Sequence, residues 1–436
     1  MRVAFFVTSF PVPSETFILR QITGLIDLGH EVGIFAATRP ASGEPVHSDV
    51  LKYGLLARTT YLADSIPMES GYWELSAWPV TGRTWLPDSD VSIPNIKRLL
   101  KAIPVFVSST LRAPRLTARV LSPSEYDYEA LSLSALYRLA ALSGDKSRYD
   151  IVHAHYGPVG RTFRFSRALW QCPLIVSFHG YDYSRFPKSD GLRAYDKLFE
   201  TVDVVTVNSE HAWRRLEELG CPPSKLRKLH YGIRLDEFPF RARTLPAGEP
   251  VRLITVARLV EKKGIEYSLR ALAKVREKQQ NVCYDIIGEG PLREKLTAVV
   301  KGLGMDDVVS LHGAQNSDYV RQMMDKAHVF VLSSVTAADG DQEGTPVSLI
   351  EAQACGIPVV SSEHAGIGEV VLDHESGFLV PERDIDGLAD RIQYLIEHPE
   401  CWPQMGRHGR QHIEKNYDLG KLNVELARLY QTTIDR

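Results

Sequence analysis

Residues 341–362 read DQEGTPVSLIEAQACGIPVVSS, and this stretch decides the fold. Thr345 is a good N-cap residue, Pro346 suits the first helical position, and Gly356 and Pro358 end the helix. The pattern therefore predicts a helix from about Pro346 to Cys355. The apolar run HVFVLSS precedes this helix and IPVVSS follows it, as expected for a strand, a crossover helix and a parallel strand.

Working outward, short apolar runs alternate with helical patterns along most of the chain. The strand candidates in the first half are VAFFVT, HEVGIFAA, IVHAH, PLIVSF and VDVVTV. Those in the second half are VRLITVA, YDIIG and VVSLHG. The linker-like RARTLPAGEP predicts a domain boundary near residue 245, and residues 40–140 are expected to be an insertion of helices and long loops. The sequence thus predicts an α/β protein with two doubly wound, Rossmann-like parallel-sheet domains.

Composition excludes several classes of protein. The 436 residues include 51 basic and 54 acidic side chains with a net charge of −3, which argues against disorder and against a nucleic-acid partner. Five dispersed cysteines without paired spacing indicate neither a disulfide framework nor structural zinc. The apolar start of the chain is too short for a signal peptide, and no run is long enough to span a membrane. We therefore expect a cytoplasmic location.

One segment of the chain contains several basic residues and no acidic ones. No acidic residue occurs between Lys97 and Arg119, and the basic residues alternate with Leu, Ile, Val and Phe; they are Lys97, Arg98, Lys101, Arg112, Arg115 and Arg119. Two interpretations stay open: a solvated helical insertion, or peripheral contact of residues 97–119 with an anionic membrane or a lipid-phosphate substrate.

The N-terminus of the helix predicted after Thr345 is a candidate anion-binding site. Its free N–H groups, at Val347 and Ser348, and its positive dipole end lie at the carboxyl edge of the sheet, where open α/β folds bind ligands. Glu343 precedes the helix and Glu351 lies more than one turn inside it, so the two carboxylates should reach different parts of one ligand. A carboxylate at the position of Glu351 suits a ribose diol next to bound phosphates.

Two cations follow the strand VRLITVA on one loop. Arg258 offers a planar guanidinium fork and Lys263 a point charge, and together they suit a diphosphate. Gly288 in GEGP either lets the backbone approach a nucleotide or belongs to a turn in which a proline starts a helix. His153 and His155 face the same side of a strand and favour a buried polar role over a metal site. Asp-x-Asp triplets start at Asp88, Asp339 and Asp384, but chance explains them, and no metal or other cofactor is predicted.

These motifs resemble the retaining nucleotide-sugar glycosyltransferases of family 4. The resemblance rests on EGTPVSLIE, ARLVEKKG, GEGP and VSLHG in the second half and on SFPVPSETFILRQI, DIVHAHYG, VSFHGYD, VNSE and LHYGIRLDEF in the first. The first-half motifs and DGDQEGTPVSLIEA are similar to the members that build bacterial exopolysaccharides such as colanic acid and amylovoran. The family implies the GT-B fold, with two Rossmann-like domains facing each other across a cleft.

Carried onto this chain, the resemblance implies a role for individual residues. Arg258 and Lys263 would hold the donor diphosphate with the helix start, Glu351 would bind the ribose, and Glu343 would contact the donor sugar near its anomeric carbon. His179 would contribute a hydrogen bond from the first domain. The backbone at Leu311 and Gly313, near Gly288, is the expected surroundings of the nucleotide base.

The acceptor side departs from the wider family, because residues 9–16 replace a glycine-rich first loop. Ser14, which is also expected to cap the helix ETFILRQITGLIDL, Glu15 and His155 are acceptor-side candidates. The resemblance implies an acceptor-binding domain at 1–245, a donor-binding domain at 246–415 and a final helix at 416–436 that packs back on the first domain.

The function that follows is transfer of a hexosyl unit, with retention, from a UDP- or GDP-linked sugar to a lipid-linked glycan acceptor. The reaction would belong to exopolysaccharide or cell-surface polysaccharide synthesis. The alternatives are a non-catalytic nucleotide-sugar-binding subunit of an assembly complex and, less compatible with the motifs, a phosphorylase or epimerase of the same fold.

Overall fold

A computed structural model describes residues 1–40, 46–65, 96–145 and 147–436. By its internal contacts the chain divides into two compact units. The first comprises residues 1–207, 213–228 and 423–436, and the second comprises residues 208–212 and 229–422. We refer to them as the first and second domains.

The first domain contains a parallel sheet with the strand order β3-β2-β1-β4-β5-β6-β7. Its strands are nearly continuous apolar runs because helices cover both faces of such a sheet. They are β1 Arg2–Ser9, β2 Glu31–Thr38, β3 Thr59–Tyr61, β4 Ile151–His155, β5 Leu174–Ser177, β6 Val204–Val207 and β7 Leu226–Lys228.

The helices up to the start of the second sheet follow the same chain order. They are α1 Thr16–Asp27, α2 Ser48–Lys52, α3 Ile96–Arg112, α4 Pro114–Val120, α5 Pro123–Leu131, α6 Ser134–Ser143, α7 Gly157–Phe163, α8 Ser166–Trp170, α9 Tyr181–Ser184, α10 Phe186–Asp190, α11 Asp196–Thr201 and α12 Glu210–Glu218. Helices α3 to α5 lie within the expected insertion and α6 extends past its end; residues 41–45 and 66–95 of the insertion are outside the described residues.

The second domain contains a parallel sheet with the strand order β10-β9-β8-β11-β12-β13. The strands are β8 Val251–Val256, β9 Val282–Ile287, β10 Val309–Gly313, β11 Val329–Leu332, β12 Val359–Ser362 and β13 Gly377–Val380. The remaining helices are α13 Ile265–Arg276, α14 Arg293–Gly302, α15 Ser317–Lys326, α16 Val347–Ala354, α17 Ile385–Glu397, α18 Trp402–Asn416 and α19 Leu419–Ile434.

Alternate residues of the β8 strand face two separate hydrophobic cores. Val251 and Leu253 pack in one core, and Ile254 packs in the other on the opposite face of the sheet. This alternation is what a strand buried on both faces requires. The prediction of two Rossmann-like parallel-sheet domains is therefore confirmed.

The second domain starts earlier in the chain than the predicted boundary near residue 245. Ile233 and Phe238 are buried in a core of the second domain, and Arg243 donates a hydrogen bond to the carbonyl of Cys355 at 2.9 Å. These contacts assign residues from Leu229 onward to the second domain. At the other end, residues from Asn423 belong to the first domain, where the Tyr430 hydroxyl lies 2.6 Å from Nδ1 of His153.

Each sheet has a switch point, where neighbouring strands are not consecutive in the chain. In the first domain it lies between β1 and β4, and in the second between β8 and β11. Ligands of doubly wound sheets bind beyond the carboxyl ends of the strands at this point. The loops after β1, β4, β8 and β11 are therefore the places to look for a site.

Among the described helices, none is both long and apolar enough to span a lipid bilayer.

Candidate active site

The loop after β11 leads directly into helix α16. Pro346 is the last extended residue, with φ −65° and ψ 114°, and Val347 and Ser348 are the first two helical residues. The helix thus starts one residue later than predicted, and Thr345 is not its N-cap. The Thr345 side chain is instead 3.5 Å from the carbonyl oxygen of Asn208. Pro346, the N-cap residue, makes no side-chain hydrogen bond to the helix, which leaves its first N–H groups to a ligand.

Glu343 lies four residues before Val347, the first residue of this helix, and is ion-paired with Lys263. Nζ of Lys263 is 2.9 Å from Oε2 of Glu343, and the two side chains are only 13% and 7% exposed. The loop after β8 and the loop after β11 are thereby joined across the switch point. A second ion pair joins the same two loops: Nζ of Lys262 is 3.0 Å from Oδ2 of Asp341.

These lysines keep Glu343 ionised. Burial of the carboxyl group works to raise its pKa, but Lys263 and Lys262 outweigh burial and lower the pKa to about 2. Burial lowers the pKa of Lys263, and the Glu343 carboxylate opposes that change. The site therefore holds a fixed negative charge beside a positive one.

Arg258 is presented on the same loop as Lys263 but in a different setting. Its side chain is exposed, and no hydrogen bond or ion pair of its guanidinium is found within the described residues. Its charge lies close enough to lower the pKa of Lys263. An exposed guanidinium without a partner among the described residues, close to a buried lysine, is suited to bind an anion.

The GEGP glycines hold the Arg258 backbone in place. Gly288 has φ +145°, and a Cβ atom there would overlap the carbonyl oxygen of Ala257. A Cβ on Gly290 would lie 2.6 Å from the carbonyl oxygen of Leu259. The N–H of Leu259 in turn donates to the carbonyl of Glu289 at 3.0 Å. The close approach that these glycines allow is therefore to the loop carrying Arg258.

The remaining second-domain candidates lie around these loops. Glu351 is half-buried on α16, one turn after Val347. Gly313 has φ +70°, its carbonyl accepts a hydrogen bond from the N–H of Gly288 at 2.9 Å, and the carbonyl of Leu311 is 3.4 Å from the Arg293 guanidinium. The backbone proposed near the base is thus tied to the turn that supports Arg258.

In the first domain, the candidates at the carboxyl ends of β1, β4 and β5 lie close together. Nδ1 of His155 is 3.0 Å from Nε2 of His179, and the two rings are stacked with an interplanar angle of 6°. The Tyr156 ring lies 4.6 Å from that of His179, and its hydroxyl donates to Glu15 at 3.0 Å. The structure therefore brings Glu15, His155 and His179 together.

Ser14 is not the cap of α1. The N–H of Glu15 donates to the carbonyl of Val12 at 3.1 Å and closes a turn that contains Ser14, so Glu15 becomes the residue before the helix. Ser14 is exposed in this turn.

Burial keeps the histidine cluster uncharged. It lowers the pKa of His153 to about 3 and lowers the pKa values of His155 and His179 well below their usual range. Both ring nitrogens of His153 are engaged within the domain, by the Tyr430 hydroxyl and the Ser177 hydroxyl at 2.6 Å each. His153 is thus a buried structural histidine.

Three comparisons place the chain among known proteins. The Glycosyltransferase Family 4 model matches residues 104–237, and the model of Glycosyl transferases group 1 matches residues 236–412. The putative colanic acid biosynthesis glycosyltransferase WcaL of Salmonella typhimurium is 34% identical over 99% of this chain and 100% of its own length. The amylovoran biosynthesis glycosyltransferase AmsK of Erwinia amylovora is 33% identical over 89% of each chain.

The chain belongs to glycosyltransferase family 4. It is a glycosyltransferase. A crystal structure of Anabaena Alr3699/HepE in complex with UDP and glucose has the same fold, with a TM-score of 0.67 at 16% identity over 99% of this chain and 100% of that one.

Two of the three Asp-x-Asp triplets of this family 4 enzyme form local hydrogen bonds. Asp339 accepts a hydrogen bond from the N–H of Asp341 at 2.9 Å, and Asp384 accepts one from the N–H of Gly387 at 2.8 Å at the start of α17. The triplet at Asp88 lies outside the described residues. No group of three or more potential metal ligands occurs in the part of the chain that the structure describes.

Sequence reasoning missed the residues that support the Glu343 loop. The N–H of Glu343 donates to Nε2 of His364 at 3.1 Å, and Nδ1 of His364 is 2.6 Å from Glu382. His364 follows β12 by two residues, so its place at the carboxyl edge of the sheet was the available signal.

Proposed function

We propose that this glycosyltransferase moves a hexosyl unit, with retention, from a UDP- or GDP-linked sugar to a lipid-linked glycan acceptor. The observation that carries the proposal is the Lys263–Glu343 ion pair beside the uncapped start of α16, with Arg258 exposed on the same loop. The names of the colanic acid and amylovoran relatives support a role in exopolysaccharide or cell-surface polysaccharide synthesis.

In this proposal the second domain stabilises the leaving group. The bond from the anomeric carbon to the diphosphate breaks, and negative charge grows on the departing phosphate. Arg258, Lys263 and the N–H groups of Val347 and Ser348 are preorganised positive groups for that charge. The acceptor oxygen bonds to the anomeric carbon on the face that the phosphate leaves, and its proton passes to a phosphate oxygen. No protein acid is needed for such a leaving group.

The other candidates divide the substrate between them. The ionised Glu343 would stabilise the positive charge that develops on the sugar ring, because its pKa of about 2 keeps it a carboxylate. Glu351 would bind the ribose, and backbone at Leu311 and Gly313 would face the base. The neutral His179 and its neighbour His155 would hydrogen-bond sugar hydroxyls, to which a neutral imidazole can donate and accept.

A panel of nucleotide sugars tests this function. The purified protein is first titrated with each UDP- and GDP-linked sugar, and release of UDP or GDP is then measured after a lipid-linked glycan fraction is added. We expect micromolar binding of one donor and acceptor-dependent release, with the anomeric configuration retained when the product is examined by NMR. Binding without release under any acceptor would instead support a non-catalytic binding subunit.

We further propose that the enzyme works in the cytoplasm and contacts the inner face of the plasma membrane through α3. Apolar side chains spaced by three or four residues form one exposed face of this helix: Leu100, Ile103, Val107 and Leu111. Ala102 packs on Tyr137 of α6. Arg112, Arg115 and Arg119 are exposed nearby, whereas the side chains of Lys97, Arg98 and Lys101 lie outside the described residues. Apolar residues with flanking cations suit an anionic lipid surface.

Vesicle sedimentation tests this contact. The protein should bind vesicles containing phosphatidylglycerol and not vesicles of phosphatidylcholine alone. Leu111→Asp, which changes a side chain that is 81% exposed, should weaken binding about tenfold. Leu192→Asp is the matched control, because Leu192 is 68% exposed outside α3. Equal loss in both variants, or equal binding to both kinds of vesicle, would contradict the contact.

A further inference from the structure

Glu343 is held at two points, and the ion pair with Lys263 is only one of them. Its backbone N–H donates a hydrogen bond to Nε2 of His364 at 3.1 Å. His364 is 3% exposed, so water does not readily replace this contact. The position of the carboxylate therefore depends on the imidazole as well as on the lysine.

The hydrogen bonds of His364 determine its tautomer. A backbone N–H can only donate, so Nε2 of His364 must be unprotonated and act as the acceptor. The proton of the neutral ring is then on Nδ1, which donates to Oε1 of Glu382 at 2.6 Å. The carboxylate fixes which nitrogen faces Glu343, as a partner on one imidazole nitrogen does in general.

Glu382 also holds the other end of the loop that carries Glu343. Its Oε2 accepts a hydrogen bond from the N–H of Thr336 at 2.8 Å, and its Oε1 accepts one from the Thr336 hydroxyl at 3.1 Å. The side chain of Gln342 donates to the Thr336 hydroxyl at 3.1 Å. Thr336 and Glu343 are thus bound to the same His364–Glu382 pair, at two points along one loop.

We propose that His364 and Glu382 are positioning residues that set the location of the Glu343 carboxylate for the transfer step. The inference rests on the proposed function for the role of Glu343, but the hydrogen-bonded arrangement does not. Neither residue touches substrate in this account. Their effect is on where Glu343 lies, and therefore on turnover more than on donor binding.

Two substitutions separate the two hydrogen bonds of His364. The side-chain amide of glutamine reaches about as far as Nε2, so His364→Gln can still offer an acceptor to the N–H of Glu343. The amide of asparagine reaches about as far as Nδ1, so His364→Asn keeps a donor for Glu382 and removes the acceptor for Glu343. His398→Asn is the matched control, because His398 forms an exposed pair with Glu400 at 2.9 Å.

Hydrogen exchange is measured over residues 336–346 in the full-length protein. We expect exchange in His364→Asn to be about tenfold faster than in the wild-type protein and His364→Gln and His398→Asn to be unchanged. Nitrogen NMR of the histidine-labelled wild-type protein should show His364 protonated on Nδ1. That measurement needs no variant, so a folding defect cannot obscure the result. Equal exchange in the two His364 variants, or a proton on Nε2, would overturn the proposal.

Turnover is then measured with the nucleotide sugar that the panel identifies. His364→Asn should lower kcat about tenfold or more with little change in donor KM, and His364→Gln should remain within about threefold of the wild-type protein. Equal loss of kcat in both variants would contradict positioning. If no nucleotide sugar is turned over, the proposed function fails, while the exchange and NMR results still decide the arrangement of His364.

Discussion

The two domains place their candidate residues at the same topological position but with different chemistry. Beyond the β8/β11 switch point, the second domain has the paired charges of Lys263 and Glu343 and an uncapped helix start. Beyond the β1/β4 switch point, the first domain has the neutral imidazoles of His155 and His179, stacked on one another and next to aromatic rings.

This difference indicates how one fold serves two kinds of ligand. Fixed charges and helix N–H groups suit a diphosphate, whose own charge changes during transfer. Neutral groups in a buried setting suit uncharged hydroxyls, because they donate and accept hydrogen bonds without the cost of burying a charge. The sheet provides the position, and the residues on the loops decide the ligand.

The largest effect that the comparison predicts is loss of turnover on removing the charge of Glu343. Glu343→Gln keeps the shape of the side chain but leaves Lys263 without its carboxylate. Turnover measured as nucleotide release should fall by about 10²- to 10³-fold, as expected for loss of a preorganised electrostatic group. Asp341→Asn, which breaks the neighbouring pair with Lys262, is the control and should cost much less. Equal losses would mean that Glu343 has no special role.

Arg258→Ala should weaken binding of UDP or GDP by about tenfold to a hundredfold, because a guanidinium fork is lost from the diphosphate. The unfolding free energy should change by less than about 0.5 kcal/mol, since the side chain is exposed. Arg270→Ala, which removes an exposed arginine paired with Glu266 on α13, is the control and should leave nucleotide affinity unchanged in calorimetric titration. Unchanged affinity in both variants would remove Arg258 from the site.

The carboxyl edges of the two sheets should also differ in how their contribution to stability depends on pH. His153 has a pKa of about 3 in the folded protein against 6.5 in the unfolded chain, so its contribution to stability is complete above pH 6.5 and is lost as the pH falls. Glu343 has a pKa of about 2 in the folded protein against 4.5 in the unfolded chain, so its contribution to stability is lost only as the pH falls below 4.5.

Single-site variants measure this difference. Between pH 7 and pH 5, the wild-type protein should lose about 2 kcal/mol more unfolding free energy than His153→Asn, in which the group does not titrate. Over the same range, Glu343→Gln should follow the wild-type protein. Denaturant unfolding at both pH values gives the comparison, and identical slopes for wild type and His153→Asn would show that His153 is not held neutral.

The main architecture could be predicted from sequence because strands buried on both faces are continuous apolar runs. The helix from Val347 to Ala354 was predicted within one residue at each end, since a proline and a glycine limit where it can start and stop. The short strands β3, β7 and β13 were not predicted, because so few residues give no periodic signal.

The details of the site depended on contacts distant in sequence. The caps assigned to Thr345 and Ser14 were wrong, because the side chain of the first lies near a carbonyl at Asn208 and the second lies in a tight turn. Pairing of Lys263 with Glu343, 80 residues away, could not be derived from spacing alone. The same is true of the glycines of GEGP, whose contact is with the loop that carries Arg258.

The most direct test is a crystal structure of the protein with bound UDP or GDP. The account predicts phosphate oxygens within about 3 Å of the N–H groups of Val347 and Ser348, with the Arg258 guanidinium and the Lys263 ammonium on the same diphosphate. A diphosphate bound elsewhere, with the start of α16 left to solvent, would contradict it.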